Sequence, residues 1–170
     1  MNNKDKYGNS EAWKRGEALE TKFFELYKST HPNARRSTRQ EQFKHIDIVD
    51  GETRIDVKAR KRVSKRGNYR LQTENTWLEF KDTAGNPGWL FGEASHIAFE
   101  LDDGFLIVRR QDLANLAKEK CDVHNLVQSP TEALYKGFSR PSRDDLISMI
   151  KTDDMLDLKY DFLCTDGEII

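Results

Sequence analysis

The chain has 170 residues, 36% of them hydrophobic and 34% charged, with a formal net charge of −1. That length suits one domain with a real core, and nine Phe, five Tyr and three Trp argue against a disordered chain. No apolar run approaches a membrane span and the opening MNNKDKYGNS lacks the apolar core of a secretion signal, so the expected setting is cytoplasmic, with no membrane partner.

Residues 1–9 read as a loose tail. Ser10 is placed to cap a helix running to about Lys28. At 100° per residue Ala12, Trp13, Leu19, Phe23, Phe24, Leu26 and Tyr27 share one apolar arc of that helix. Pro32 stops the helix, and STHPNARRSTRQEQ reads as a loop. HIDIV and RIDVKA then alternate as two strands around an Asp50-Gly51 turn. A basic loop, RKRVSKRGNY, leads to a strand at NTWLEFK and a turn-rich link, DTAGNPGW. SHIAFEL and GFLIVRR pair as a hairpin around Asp102-Asp103-Gly104. QDLANLAKEK reads as a helix, and SRDDLISMIK as another opened by Ser142. TDDMLDLKYDFL fits either a helical turn or an edge strand. This order predicts an α/β fold, a central mixed β-sheet flanked by helices, in one domain. The core is expected over 10–110, with a C-terminal helical extension over 111–170.

Charge is unevenly spread. Residues 1–30 carry a net +1, residues 31–70 carry +7 and residues 71–170 carry −9. The middle block is a local positive field of the kind that captures a polyanion. Cys121 and Cys164 belong to no CxxC pair and read as reduced structural residues, and CDVH offers only part of a zinc ligand set.

The first hairpin carries the chemistry. With Val49 opposite Arg54, Asp47 lies across from Asp56, while Ile46, Ile48, Ile55 and Val57 form the apolar face. His45, Asp47, Asp56 and Lys58 share the other face. Two carboxylates facing one another destabilise a strand pair unless a cation sits between them. Two hard oxygen donors with waters and phosphate suit Mg2+. The same pattern also suits a solvent-facing, ion-paired hairpin. Glu20 falls inside the apolar arc of the first helix, so a partly buried third acid is expected there, with Glu17 in reserve.

Asp47, followed by Asp56-Val57-Lys58 on the next strand with Glu20 upstream, resembles the PD-(D/E)XK nuclease superfamily. GEALE (Gly16 to Glu20) is similar to the opening helix of the Holliday-junction-resolvase branch, and WLEFKDTAGNPGWLFGEASHIAFE is similar to small phage-encoded nucleases. The resemblance covers about residues 10–110 and departs from the pattern at Ile46, where proline is usual, and near Ser95, where an acid is expected. It implies a restriction-endonuclease-like core and DNA phosphodiester hydrolysis with Mg2+ or Mn2+, as a structure-specific endonuclease, resolvase or exonuclease. It also implies a phage-encoded protein acting in the host cytoplasm. Asp47, Asp56 and the Val57 main-chain carbonyl would hold the metal, helped by Glu20, and Lys58 would position the attacking water. Arg60, Lys61, Arg62, Lys65, Arg66 and Arg70 would clamp the nucleic-acid backbone, and Tyr69 and Trp77 are candidates for base stacking. A resolvase would be a homodimer, with Trp89-Leu90-Phe91 as a candidate surface. The alternative is a non-catalytic nucleic-acid-binding or protein-interaction module on the same fold.

Overall fold

Leu19, Phe23 and Tyr27, spaced four residues apart, set the first layer: they line one face of helix α1 (Glu11–Thr30) and are buried, as that spacing requires. The structure is a computed structural model describing residues 11–65, 68–166 and 168–170, with side chains from 64 to 69 left aside. The expected tail and Ser10 cap lie outside those residues. Trp13, expected on the apolar arc, is half exposed. The link after α1 is more ordered than the loop expected there. It holds a short strand β1 (Arg35–Arg36) and a one-turn helix α2 (Arg39–Gln42). Thr38 caps α2: its hydroxyl accepts from the Glu41 amide at 3.3 Å, and the Glu41 carboxylate accepts from the Thr38 amide at 2.7 Å.

Strands β2 (Ile48–Asp50) and β3 (Thr53–Lys58) pair in the expected register, Ile48 with Ile55 and Val49 with Arg54. The ladder extends one pair further, to Asp50 and Thr53, so the turn is only Gly51-Glu52. Gly51 has φ +59°, a conformation glycine adopts without strain. The hairpin feeds a six-stranded sheet ordered β1, β2, β3, β7 (His96–Glu100), β8 (Gly104–Arg109), β12 (Tyr160–Cys164). β3 and β7 run parallel, and the other neighbours antiparallel. This is the expected mixed sheet.

Helix α1 covers one face, where its buried side chains meet Ile48, Ile55, Val57, Ala98, Phe105 and Ile107. The opposite face is covered by helix α3 (Arg110–Lys120) and by strands β6 (Asn75–Lys81) and β11 (Leu146–Lys151), which pair antiparallel. Leu78, Phe80, Leu113, Ala117 and Ile150 pack there against Ile97, Phe99, Leu106 and Val108.

Three expectations are corrected. The basic loop is a hairpin of β4 (Arg62–Lys65) and β5 (Asn68–Leu71). LISMIK is strand β11 and not helix. Met149 packs with Ala133 and Phe138, while Ile150 packs on the main core, so both faces are covered and the polar alternation that marks a strand is lost. Residues 111–170 are therefore no helical extension. Beyond α3 they form strands, including β9 (Asp122–Leu126) and β10 (Lys136–Gly137), and 3-10 turns. Both readings of TDDMLDLKYDFL are realised: a 3-10 turn at Thr152–Asp157 precedes edge strand β12, which closes the central sheet well beyond residue 110. Among the described residues no helix is long and apolar enough to cross a membrane.

Candidate active site

Strand alternation turns Ile55 and Val57 towards α1 and leaves Asp56 on the other face. There it is 2% exposed. Its Oδ1 lies 2.8 Å from the Lys58 ammonium, two residues along the strand and on the same face. Its Oδ2 is buried and has no partner. The Lys58 Nζ sits 5.1 Å above the Trp89 ring, a cation–π contact. Trp89 opens a 3-10 turn (Trp89–Phe91) that follows Gly88. A Cβ on Gly88 would lie 2.3 Å from the Glu79 carbonyl oxygen, so glycine is what lets this turn close on β6.

Asp47 lies one residue before β2, where the ladder breaks register: its amide donates at 2.8 Å to the carbonyl of Ile55, the residue already paired with Ile48. Its Oδ2 accepts the Val57 amide at 2.8 Å. The Asp47 carboxylate is thereby brought beside Asp56-Val57-Lys58, but not by the continuous register expected: Ile46, expected on the face of Ile48, Ile55 and Val57, packs in the core on the other face. Glu20, on α1, is partly buried and pairs with Arg36 at 3.4 Å. Glu17 is exposed. His45 adopts φ +58° at the entry to this segment, with its ring against Gly92.

The electrostatics are short of positive charge. Burial pushes the Asp56 carboxyl up to about 8 against the pull of Lys58, and the Asp47 charge adds to the rise. Burial together with the Asp47 charge raises Glu20 to about 7, with Arg36 and Lys58 opposing. Burial draws the Lys58 ammonium down, but the Asp56 charge and hydrogen bond outweigh it, helped by Asp47 and Glu79, so Lys58 stands above its ordinary value. It is a cation at neutral pH.

Among the described residues no group of three or more His, Cys, Asp or Glu is placed to hold a metal ion. The donor set still fits a hard divalent cation. Mg2+ is commonly held by one or two carboxylates with waters and substrate phosphates, and the unpartnered Oδ2 of Asp56 is a buried acceptor beside a second carboxylate. Glu20 is engaged by Arg36.

The expected clamp divides. Arg60 faces inward, 12% exposed, with its guanidinium paired to Glu100 and Asp102. It is therefore tied into the fold. Arg62 is half exposed beside Glu11 at 3.4 Å, Arg70 pairs with Glu74, and Lys61 is exposed. The side chains of Lys65, Arg66 and Tyr69 lie outside those described. Arg35 pairs with Glu41 and Arg140 with Asp145. Trp89 and Leu90 are core residues, which removes the suggested dimer surface.

Sequence reasoning missed the role of Trp89 beneath Lys58, the Glu20–Arg36 pair and a cavity beside Lys58. The Gly88-Trp89 step was the available signal for the first. No family model, no curated protein and no solved structure matches this chain.

Proposed function

We propose that the protein is a Mg2+- or Mn2+-dependent nuclease, hydrolysing DNA phosphodiester bonds at Asp47, Asp56 and Lys58, within the PD-(D/E)XK superfamily it resembles. The observation that carries this reading is the buried, incompletely neutralised Asp56, joined to Lys58 at 2.8 Å and beside Asp47. A structural ion pair alone does not account for the second carboxylate set against it, whose charge raises the Asp56 value further.

Asp47, Asp56 and the Val57 carbonyl would hold the cation, with Glu20 as an outer acid. At such a site a divalent cation supplies Lewis-acid polarisation of a phosphoryl oxygen and easier deprotonation of water. The Val57 amide holds Asp47 in orientation through its 2.8 Å bond. Lys58, kept protonated by the carboxylates around it, serves as a fixed donor to the charge that develops on phosphorus oxygens in the transition state. A lysine with a raised pKa is a poor general base, so its part is orientation and charge stabilisation. Trp89 and Asp56 restrict its side chain to one direction. Lys61 and Arg62 supply exposed positive charge for the backbone.

The second reading, a non-catalytic nucleic-acid-binding module, is favoured by Glu20 pairing with Arg36 in place of completing a three-acid group. Labelled single-stranded, duplex, flap and four-way-junction DNAs, incubated with Mg2+ or Mn2+, separate the two. Cutting that stops in EDTA and in Lys58→Ala supports the nuclease and identifies its substrate shape. Salt-sensitive binding with no cutting of any DNA leaves the binding module.

A further inference from the structure

A cavity of about 170 Å3 adjoins Lys58 on the side away from α1, between the segment that follows β3 and strand β6. Its walls include Lys58, Lys61, Gln72, Trp77, Trp89 and Arg140. We propose that this cavity receives one unstacked pyrimidine base of the bound strand, deepening the nuclease reading on which it rests. Three features carry it.

The first is size. A cavity of about 150 Å3 in another protein admits benzene, so this one suits a single six-membered ring and is too small for a fused purine. The second is the wall chemistry. Trp77 is only partly buried and Trp89 lies at the inner side, giving aromatic surface of the kind on which bases stack. The third is Gln72, 9% exposed, whose Oε1 is buried without a partner. Its Nε2 reaches only the Met149 sulfur, at 3.8 Å. Buried amides are normally satisfied, and the terminal torsion of glutamine is soft. A primary amide offers an acceptor and a donor side by side, matching the N3 edge of thymine or cytosine and its neighbouring exocyclic group.

Charge sets the direction of entry. Glu79 also lines the cavity and disfavours a phosphate inside it, whereas the exposed Lys61 favours a phosphate at its edge. A neutral ring inside and a phosphate outside satisfies both. Because Lys58 borders the cavity and also holds Asp56, base capture brings the adjoining backbone to the acid pair.

The test is titration of the full chain in EDTA with dTMP, dCMP, dAMP, dGMP and inorganic phosphate, followed by tryptophan fluorescence. The pyrimidine nucleotides should bind about tenfold or more tightly than the purine nucleotides and phosphate, and Gln72→Leu should remove about that factor by deleting the amide. Gln72→Met, closer in shape, repeats the comparison should the leucine variant fold poorly. Equal binding of all four nucleotides, no binding beyond that of phosphate, or unchanged selectivity in the Gln72 variants overturns the proposal. No metal takes part, so the two readings fail separately. Pyrimidine selectivity without cleavage would leave the subsite and sink the nuclease, and cleavage without selectivity would do the reverse.

Discussion

Replacing Asp56 with asparagine should make the metal-free protein more stable at alkaline pH, and metal should reverse the ranking. In the fold Asp56 keeps its proton to about pH 8, against an ordinary value of 3.8. A raised carboxyl pKa contributes stability that is complete below about pH 4 and is lost as pH climbs through the folded value. Across that window the shift corresponds to on the order of 6 kcal/mol, at about 1.4 kcal/mol per unit. Asparagine has no charge to bury, but as a neutral acceptor it weakens the bond from the Lys58 ammonium and loses the charge–charge attraction, on the order of 2–3 kcal/mol. The balance at about pH 8.5 is about 3 kcal/mol in favour of Asp56→Asn, or about 6–12 °C in melting temperature for a chain of this size. Near pH 5 wild-type Asp56 is protonated, and the advantage should vanish or reverse. Thermal melts in EDTA at both pH values measure this directly. Mn2+ should then raise the wild type by about 4.1 kcal/mol at about a thousandfold excess over Kd and leave the variant where it was. A wild type that is the more stable in EDTA at alkaline pH refutes the reasoning, as does an equal gain from Mn2+ in both proteins.

Three further outcomes are expected. Gly88→Ala places a methyl 2.3 Å from the Glu79 carbonyl oxygen, so denaturant unfolding should show a loss of about 1–3 kcal/mol, with cleavage falling further because Trp89 moves from beneath Lys58. Arg60→Ala should lower the melting temperature, since it strips partners from Glu100 and Asp102, whereas Arg62→Ala should leave melting unchanged and reduce the slope of log affinity against log salt by about 0.9. Glu20, raised to about 7, contributes metal-free stability that is present below its ordinary value of 4.5 and lost as pH passes through 7, so Glu20→Gln should flatten the melting curve against pH over that interval.

What was readable in the residues follows from how local each cue is. The hairpin register came through over Ile48, Ile55 and Val57, which alternate with the charged positions, and Asp50-Gly51 marks the turn, whereas the break before Ile48 that turns Ile46 to the other face leaves no local signal. The same alternation put Asp56 and Lys58 on one face, and the helical period put Glu20 within electrostatic reach of Asp47 and Lys58. β11 was misread because Leu146, Ile147, Met149 and Ile150 are buried or partly buried on two faces, which erases the period-two signal. Helix α2 was legible in principle, since Thr38 and Glu41 have capping-box spacing. Arg60 counted as surface charge, because nothing local reveals that Glu100 and Asp102, forty residues on, will enclose it. The cavity was hidden for a related reason: its walls come from segments as distant as Lys58, Gln72 and Arg140.

Single-turnover cleavage of the best-cut DNA by wild type and Lys58→Ala, at enzyme concentrations that saturate binding for both, tests the site most directly. A donor lost from the transition state should slow the variant by about 10²–10³-fold while its DNA affinity stays within a few-fold of wild type. Equal rates, cutting that survives EDTA, or a wild type that cuts none of the DNAs would contradict the assignment of Asp47, Asp56 and Lys58 as a phosphodiesterase centre.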